Sequence, residues 1–410
     1  MFSSYFLRLL AIIFALCVFN FLVGCKSKPL SADSENKDII KETSKLSFPD
    51  YYPEFSWDKV PLYYHFAKRD GLLSDEQIEK IAKRSNFFCM EKGHADRVYP
   101  KQTTMATSLD ALRIKKYNPN AKVLFYWNTF LKYNLYEENK EFDKHPNWIF
   151  RSLINKEPLL KGGYLVQYNL LNPDFQQWWS DVAASAANEP GVDGIFIDAI
   201  EQAMAPRWLK LGWGEDKKPE LKEAVKNMLT LARQKMGDGK IIVFNGLFNS
   251  DKRGVVGPEY LPYTDGAMVE HFTIFSSSSK EMIAADIESI KMAVEQGKIT
   301  AVKGWPDDTL LWIREEAMKK PMEEKLAYAR EKLPFSLACY LVAAQEQSYF
   351  SYSWGYTDKH GNIDDYAEFD KRLGPPLGPA TQNGWVYKRS FKYLDVEVNI
   401  ETKETVFNWK

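Results

Sequence analysis

Cysteine and histidine are scarce in this sequence, and neither occurs in a metal-binding pattern. Cys17 and Cys25 lie near the N-terminus, while Cys89 and Cys339 lie far apart in a predicted strand and a predicted helix. We therefore expect two buried free thiols rather than a disulfide. The five histidines include no HExxH or paired arrangement, which disfavours a zinc enzyme, and no cofactor is predicted.

The chain also lacks an excess of positive charge. It carries 54 basic and 55 acidic residues, whereas a general nucleic-acid binder would be expected to have a basic excess. Aromatic residues, by contrast, make up 14% of the chain. They fit either a large core or flat platforms that stack on sugar rings, and composition does not separate these two interpretations.

The one long apolar run lies at the N-terminus, and it is short for a membrane-spanning helix. It covers residues 9–19, after Arg8, and is followed by Leu22-Val23-Gly24-Cys25, which resembles a bacterial lipobox. We therefore expect a signal peptide over residues 1–24 and lipidation of Cys25. The lipid would anchor the protein to a membrane of the bacterial cell envelope, outside the cytoplasm. Residues 25–58 are polar and show little periodicity, which indicates a tether and lead-in.

Residues 59–355 alternate between short apolar runs and amphipathic helical patterns. Helices are predicted to begin after the cap Ser74 and after the cap Asn172 with Pro173, and others near residues 107–117, 217–236, 279–296 and 323–344. Eight strands are predicted, at 60–66, 86–90, 122–127, 194–198, 240–245, 266–270, 299–303 and 348–352.

This alternation predicts an α/β fold, a (β/α)8 TIM barrel. A doubly wound sheet is the alternative, but no glycine-rich phosphate turn follows the first strand. The count of eight strands treats residues 163–168 as an excursion in the third loop. Residues 356–410 form a C-terminal antiparallel β-appendage of two or three strands, which packs on the barrel. We expect a monomer.

Carboxylates follow two of the predicted barrel strands. Asp198 ends the fourth strand, and Glu270 ends the sixth. Barrel enzymes collect their catalytic groups at this end of the strands, and hydrolysis of a glycosidic bond needs two carboxylates on opposite sides of a pocket. A structural role for each acid, as a helix cap or an ion-pair partner, is the alternative.

Further polar and aromatic residues near the strand ends are candidates for substrate binding. Glu91, Arg207 and Asp307 are weaker candidates for the rim, and Asp193 lies before its strand, at the opposite end of the barrel. A metal-dependent site of Asp198, Glu201 and His271 is a further alternative. The substrate-binding candidates are Trp127, Asn128, Glu201, Asn245, His271, Trp305 and Tyr352.

The motif Asp193-Gly194-Ile195-Phe196-Ile197-Asp198 resembles the fourth-strand motif of α-galactosidase-like and endo-α-galactosaminidase-like barrel glycosidases. The wider pattern resembles hypothetical glycosyl hydrolase family 15, through residues 168–174, Trp178-Trp179, Phe244-Asn245-Gly246 and residues 373–378. The first resemblance implies a nucleophile at Asp198 and an acid/base at Glu270, where the α-galactosidase clan has Asp.

The leading hypothesis is a retaining glycosidase that acts on an extracytoplasmic oligo- or polysaccharide. It predicts carboxyl groups roughly 5–5.5 Å apart, whereas a gap of roughly 6.5–9.5 Å would favour inversion. It also predicts a raised pKa for Glu270. The alternative is a non-catalytic glycan-binding lipoprotein on the same barrel.

Overall fold

The computed structural model of the protein describes residues 47–250 and 254–410. The predicted signal peptide, the lipidation site Cys25 and the first part of the tether lie outside the described residues. Within the described ranges, no helix has both the length and the apolar character that crossing a bilayer requires.

Eight parallel strands form the central sheet, and their order in the sheet follows their order in the chain. At the seam, Leu62 bridges Phe350, and the Phe350 N–H donates to the Pro61 carbonyl at 2.7 Å. The sheet nearly closes as a barrel, so the predicted fold is confirmed. The strands are β1 (Tyr63–Phe66), β2 (Phe87–Met90), β3 (Lys122–Asn128), β4 (Gly194–Asp198), β5 (Ile241–Asn245), β6 (Gly266–Phe272), β7 (Ile299–Gly304) and β8 (Ser348–Tyr352).

Helices alternate with these strands. The Ser74 hydroxyl accepts a hydrogen bond from the Gln77 N–H, and the Asn172 side chain accepts one from the Phe175 N–H, so both predicted caps are confirmed. Between β5 and β6 the described residues form a short hairpin and a 3₁₀ helix, Pro258–Tyr263. The longer helices are α1 (Asp75–Ala82), α2 (Thr103–Tyr117), α3 (Pro173–Ala187), α4 (Lys218–Met236), α5 (Lys280–Glu295) and α6 (Met322–Ala343).

Side chains alternate between the barrel interior and the surrounding helix layer along each strand. Tyr126 and Phe196 belong to the interior cluster, whereas their neighbours Phe125 and Ile197 pack outward. Tyr52, from the described part of the lead-in, also packs against the interior cluster. This alternation decides which residues at the strand ends point into the barrel mouth.

The connection after β3 is the long excursion that the sequence indicates. It includes a small hairpin of Leu160–Lys161 with Leu165–Val166, which pairs separately from the barrel sheet. Leu131 forms a bridge with Gln167, which ties the return of the excursion to its start. Counting this segment outside the barrel strands is therefore confirmed.

The C-terminal appendage is a four-stranded antiparallel sheet rather than one of two or three strands. The strand that the sequence pattern missed, Thr381–Asn383, is polar and exposed, so it lacks the apolar alternation that marks a half-buried strand. Arg389 of the second strand is buried and donates to the carbonyls of Leu341 and Ala344 at the end of α6. The four strands are β9 (Thr381–Asn383), β10 (Val386–Ser390), β11 (Leu394–Asn399) and β12 (Thr405–Trp409).

The two cysteines within the described residues are free thiols. Cys89 lies in β2 and Cys339 in α6, and both are buried. The prediction of two buried free thiols is confirmed.

Candidate active site

Asp198 is the last residue of β4, and its carboxylate is held by four donors. Oδ1 accepts hydrogen bonds from the Ala199 N–H at 2.7 Å and from Asn245 Nδ2 at 2.9 Å. Oδ2 accepts from the Tyr126 hydroxyl and from Asn128 Nδ2, which lies 3.2 Å away. Asn128 and Asp198 are register partners on adjacent strands, so the parallel pairing itself brings these side chains together.

The backbone after Asp198 has an uncommon conformation for a residue with a side chain. Ala199 has a φ of +64°, in the left-handed region. This turn aims the Ala199 N–H back at the carboxylate of its neighbour. Such local strain is concentrated at functional sites, where the surrounding structure maintains it.

Glu270 ends the inward-facing row of β6. Its Oε1 accepts from the Tyr356 hydroxyl at 2.7 Å, and its Oε2 accepts from Asn245 Nδ2 at 2.8 Å. Its backbone carbonyl accepts from Trp305 Nε1 at 2.6 Å. His271 Nε2 lies 3.5 Å from Oε2. Both carboxylate oxygens are therefore engaged before any substrate arrives.

The pKa of Glu270 is lower than its ordinary value. Burial raises this pKa, but the nearby charge of His271 and the hydrogen bonds from Tyr356 and Asn245 outweigh burial. The expectation of a raised pKa for Glu270 in the free protein is therefore wrong. The sequence shows the apolar strand before Glu270 and the adjacent His271, whereas the donors Tyr356 and Asn245 come from two other segments and meet Glu270 only after folding.

A bulge in β6 places two consecutive side chains at the mouth. Val269 pairs with Val302 and Phe272 with Gly304, so three steps along β6 match two steps along β7. The extra residue breaks the strict alternation, and both Glu270 and His271 line the same cavity.

Asn245, the last residue of β5, lies between the two acids. Its Nδ2 donates to Asp198 Oδ1 and to Glu270 Oε2, at 2.9 and 2.8 Å. Two oxygens that share one nitrogen at these distances lie within about 6 Å of each other. This bound on the facing oxygens is compatible with the roughly 5–5.5 Å that separates the carboxyl groups of a retaining glycosidase.

A cavity of about 330 Å³ opens beside the two acids. Glu201 and His271 also line it, together with apolar groups such as Leu247. Glu201 is buried and accepts a hydrogen bond from the Tyr260 hydroxyl at 2.7 Å. Burial raises the pKa of Glu201, against the opposing effect of that hydrogen bond. The cavity thus combines three carboxyl groups and a histidine.

Three of the aromatic candidates from the sequence do not line this cavity. Trp127 and Tyr352 point outward into the helix layer, where Trp127 packs on Tyr136 and the Tyr352 hydroxyl donates to the Ala329 carbonyl. The prediction that they contact substrate is not supported by this placement, because strand alternation turns both away from the mouth. Trp305 is buried, and its indole N–H donates a hydrogen bond to the backbone carbonyl of Glu270.

Asn128, Asn245, Glu201 and His271 are all brought to the barrel mouth, close to the acids. Within the described part of the chain, no three His, Cys, Asp or Glu side chains are placed to hold a metal ion. The geometry therefore does not favour the metal-dependent alternative at Asp198, Glu201 and His271.

Several residues of the site were missed by sequence reasoning. Tyr126 lies two residues before Asn128 on the same face of β3, so strand alternation could have found it. Tyr356 lies in the loop after β8 and carries no comparable signal in the sequence. Lys303 follows Ala301 on the inner face of β7, and burial lowers the pKa of its ammonium to about 7, against the opposing charges of Glu270 and Glu91.

Lys92 is another residue that the sequence did not single out. Its Nζ lies 3.0 and 2.9 Å from the two carboxylate oxygens of Glu91 and 4.4 Å from the centre of the Tyr126 ring. Burial raises the pKa of Glu91, but Lys92 and His65 outweigh burial and bring it to about 2. Glu91 is thus a buried partner of Lys92 that also lines a second cavity.

The fold and the site together define the class of protein. A (β/α)8 barrel with two carboxylates at the ends of β4 and β6, close enough to share one amide, is the arrangement of a barrel glycoside hydrolase. The sequence profile of hypothetical glycosyl hydrolase family 15 matches residues 115–394. The chain belongs to this family, and the predicted family and enzyme class, a glycosidase, are confirmed.

Solved structures with a similar fold include two bacterial glycoside hydrolases. The glycoside hydrolase domain of PelA from Pseudomonas aeruginosa is 13% identical, with 73% of this chain and 95% of that chain covered and a TM-score of 0.44. The ligand-free cyclic alpha-maltosyl-(1-->6)-maltose hydrolase from Arthrobacter globiformis is 14% identical, with 86% and 96% covered and a TM-score of 0.44. No curated protein sequence matches the chain.

Proposed function

We propose that this glycosidase hydrolyses an oligo- or polysaccharide with retention of configuration, using Asp198 as the nucleophile and Glu270 as the general acid/base. The observation that carries the proposal is the amide of Asn245, which donates to both carboxylates and keeps their facing oxygens within about 6 Å. That separation agrees with direct attack by one acid while the other protonates the leaving oxygen.

The chemistry takes two steps. Asp198 attacks the anomeric carbon as the glycosidic C–O bond breaks, and Glu270 gives its proton to the departing oxygen. The product of this step is a glycosyl ester on Asp198. Glu270, now ionised, takes a proton from water, whose oxygen attacks the same carbon and releases Asp198. Two inversions at one carbon leave its configuration unchanged.

The surrounding residues have defined roles in this scheme. The donors Tyr126, Asn128 and Asn245 fix the orientation of the Asp198 carboxylate. As the ester forms, the carboxylate loses its negative charge, and the same donors stabilise it again as the leaving group of the second step. Glu201 and His271, on the cavity wall, bind sugar hydroxyl groups in this scheme.

The test is sugar release from a panel of α- and β-linked glucans, galactans and hexosamine polymers, with the full chain and its Asp198→Asn variant. We expect release by the parent and a loss of at least about a thousand-fold in the variant. Asp181→Asn is the matched control, because Asp181 is an exposed residue of α3 that pairs with Lys235. Proton NMR of the first product formed reports retention or inversion.

The outcomes separate the possibilities. Equal release by the parent and by Asp198→Asn would overturn the assignment of the nucleophile. Release of the inverted anomer would overturn the retaining scheme but leave both acids in the site. A parent chain that binds a panel glycan without releasing sugar would support the glycan-binding alternative instead.

For the location, we propose a lipid-anchored protein outside the cytoplasm. The support is the sequence alone: the apolar run at residues 9–19 and the Leu22-Val23-Gly24-Cys25 ending. A Cys25→Ala variant should fail to incorporate labelled fatty acid and should leave the membrane fraction. Fatty-acid labelling that persists in this variant would contradict the proposal.

A further inference from the structure

A second cavity, of about 440 Å³, opens on the β1–β3 side of the two acids. Among the described residues it shares no lining residue with the acidic cavity beside Glu201, and its lining includes three tyrosines, an amide and the Glu91–Lys92 pair. The residues that matter here are Lys92, Tyr133, Asn134, Tyr164 and Tyr356.

Two residues that line this second cavity are linked to the catalytic pair, one by a direct hydrogen bond and the other through Tyr126. Tyr356 lines the cavity and donates its hydroxyl hydrogen to Glu270 Oε1 at 2.7 Å. Lys92 lines the cavity and lies 4.4 Å from the centre of the Tyr126 ring, and Tyr126 donates to Asp198. The second cavity is therefore connected to both acids through Tyr356 and Lys92, although the acids themselves line the first cavity.

Lys92 offers an unused donor to this space. An ammonium group has three N–H donors, and within the described residues Glu91 is the hydrogen-bond acceptor for Lys92 Nζ. The two Glu91 oxygens can take two of the three. The third remains for a ligand oxygen, and the Lys92 side chain is 25% exposed.

The aromatic surface of the cavity comes from the excursion after β3. Gly162 and Gly163, with φ of +63° and +81°, form the turn of the Leu160–Lys161 hairpin and bring Tyr164 to its tip. The Tyr164 side chain is 75% exposed, although it lines the cavity. Tyr133 forms a second wall, with its ring centre 5.4 Å from Lys92 Nζ.

We propose that this second cavity is a sugar-binding subsite for the unit on the other side of the scissile bond from the acidic cavity. The inference rests on the proposed function. A glycosidic bond joins two units. Both acids line the first cavity, and Tyr356 of the second cavity donates to Glu270. Tyrosine rings match the apolar faces of a sugar ring, while Lys92 and Asn134 bind its hydroxyl groups.

The test is the kinetics of Tyr164→Ala and Tyr164→Phe on oligosaccharides of increasing length, prepared from the panel polymer that the full chain degrades. We expect Tyr164→Ala to raise KM about ten-fold on substrates that span both cavities, with kcat changed by less than about two-fold. Tyr164→Phe keeps the ring and should restore KM. Tyr117→Ala, an exposed tyrosine on α2, is the matched control.

A second variant makes the test decisive. Parental KM values in both Tyr164→Ala and Asn134→Ala would overturn the inference. Sugar release that still depends on Asp198 would at the same time leave the proposed function intact. A parent chain that cleaves no polymer of the panel, or an Asp198→Asn variant as active as the parent, would overturn the proposed function and with it the subsite.

Discussion

Asn245 donates one side-chain nitrogen to both Asp198 and Glu270, at 2.9 and 2.8 Å. One amide thereby sets the distance between the two acids and supplies a hydrogen bond to each. The geometry of the site therefore depends on Asn245, at the end of β5, as well as on the two acids.

Replacement of Asn245 with alanine should lower kcat/KM by about 10²–10³-fold, because it removes a positioned donor from both carboxylates. The loss should appear in steady-state kinetics on the panel polymer that the full chain cleaves. Asn120→Ala is the matched control, since Asn120 lies in the exposed turn before β3. Activity equal to that of the parent would show that the shared amide plays no part in catalysis.

The pH optimum should be acidic. Glu270 must carry a proton in the first step, yet its pKa lies below the ordinary value of 4.5. The fraction of protein with protonated Glu270, and therefore kcat/KM, falls as pH rises through that pKa. We expect the alkaline limb of the pH profile to lie below the usual titration range of a glutamate carboxyl group. A profile that is flat up to neutral pH would contradict Glu270 as the acid.

His271→Gln should move that alkaline limb to higher pH. The charge of His271 favours the ionised form of Glu270, so its removal raises the Glu270 pKa. The measurement is the pH dependence of kcat/KM for the parent and the variant. His145→Gln, on the exposed excursion, is the control and should leave the profile in place. A shift in the opposite direction would refute the assignment.

Lys303 should make stability depend on pH. Burial lowers the Lys303 pKa from 10.5 to about 7, so between these values the unfolded chain binds more protons than the folded one, and stability rises with pH across this window. Below about pH 7 the folded protein holds a buried charge. Lys303→Met should therefore gain stability relative to the parent by a few kcal/mol as pH falls from about 10 to about 6.

Urea unfolding of the parent and of Lys303→Met at the two pH values gives this difference. Lys144→Met, an exposed lysine on the excursion, is the control, and its stability difference from the parent should be nearly independent of pH. If Lys303→Met instead gained stability relative to the parent at the alkaline pH, the prediction of a lowered Lys303 pKa would be wrong.

Trp127 and Asn128 are neighbours with opposite roles. Trp127→Ala should cost about 3–5 kcal/mol of unfolding free energy, since the ring is buried among Tyr136 and Trp178. Asn128→Ala should instead lower kcat/KM, because Asn128 donates to Asp198. Denaturant unfolding and kinetics on both variants check the pair. An increase in KM with unchanged stability in Trp127→Ala would restore the original prediction of substrate contact.

The sequence by itself determined the barrel, because its signals are local. Each strand is a short apolar run, and caps such as Ser74 and Asn172 mark where helices begin. The same local signals placed Asp198 and Glu270 at strand ends, which converge in any parallel barrel. The sequence could also have predicted the direction of side chains on a regular strand, since strand alternation alone separates Asn128 from Trp127.

Only the tertiary structure decided the electrostatics and the second cavity. The pKa of Glu270 depends on Tyr356, which lies 86 residues away along the chain, and on a bulge in β6 that no sequence pattern marked. The wall that carries Tyr133 and Tyr164 exists because the excursion folds back beside Lys92. Contacts between distant segments set these properties, and they arise only when the chain has closed around the barrel.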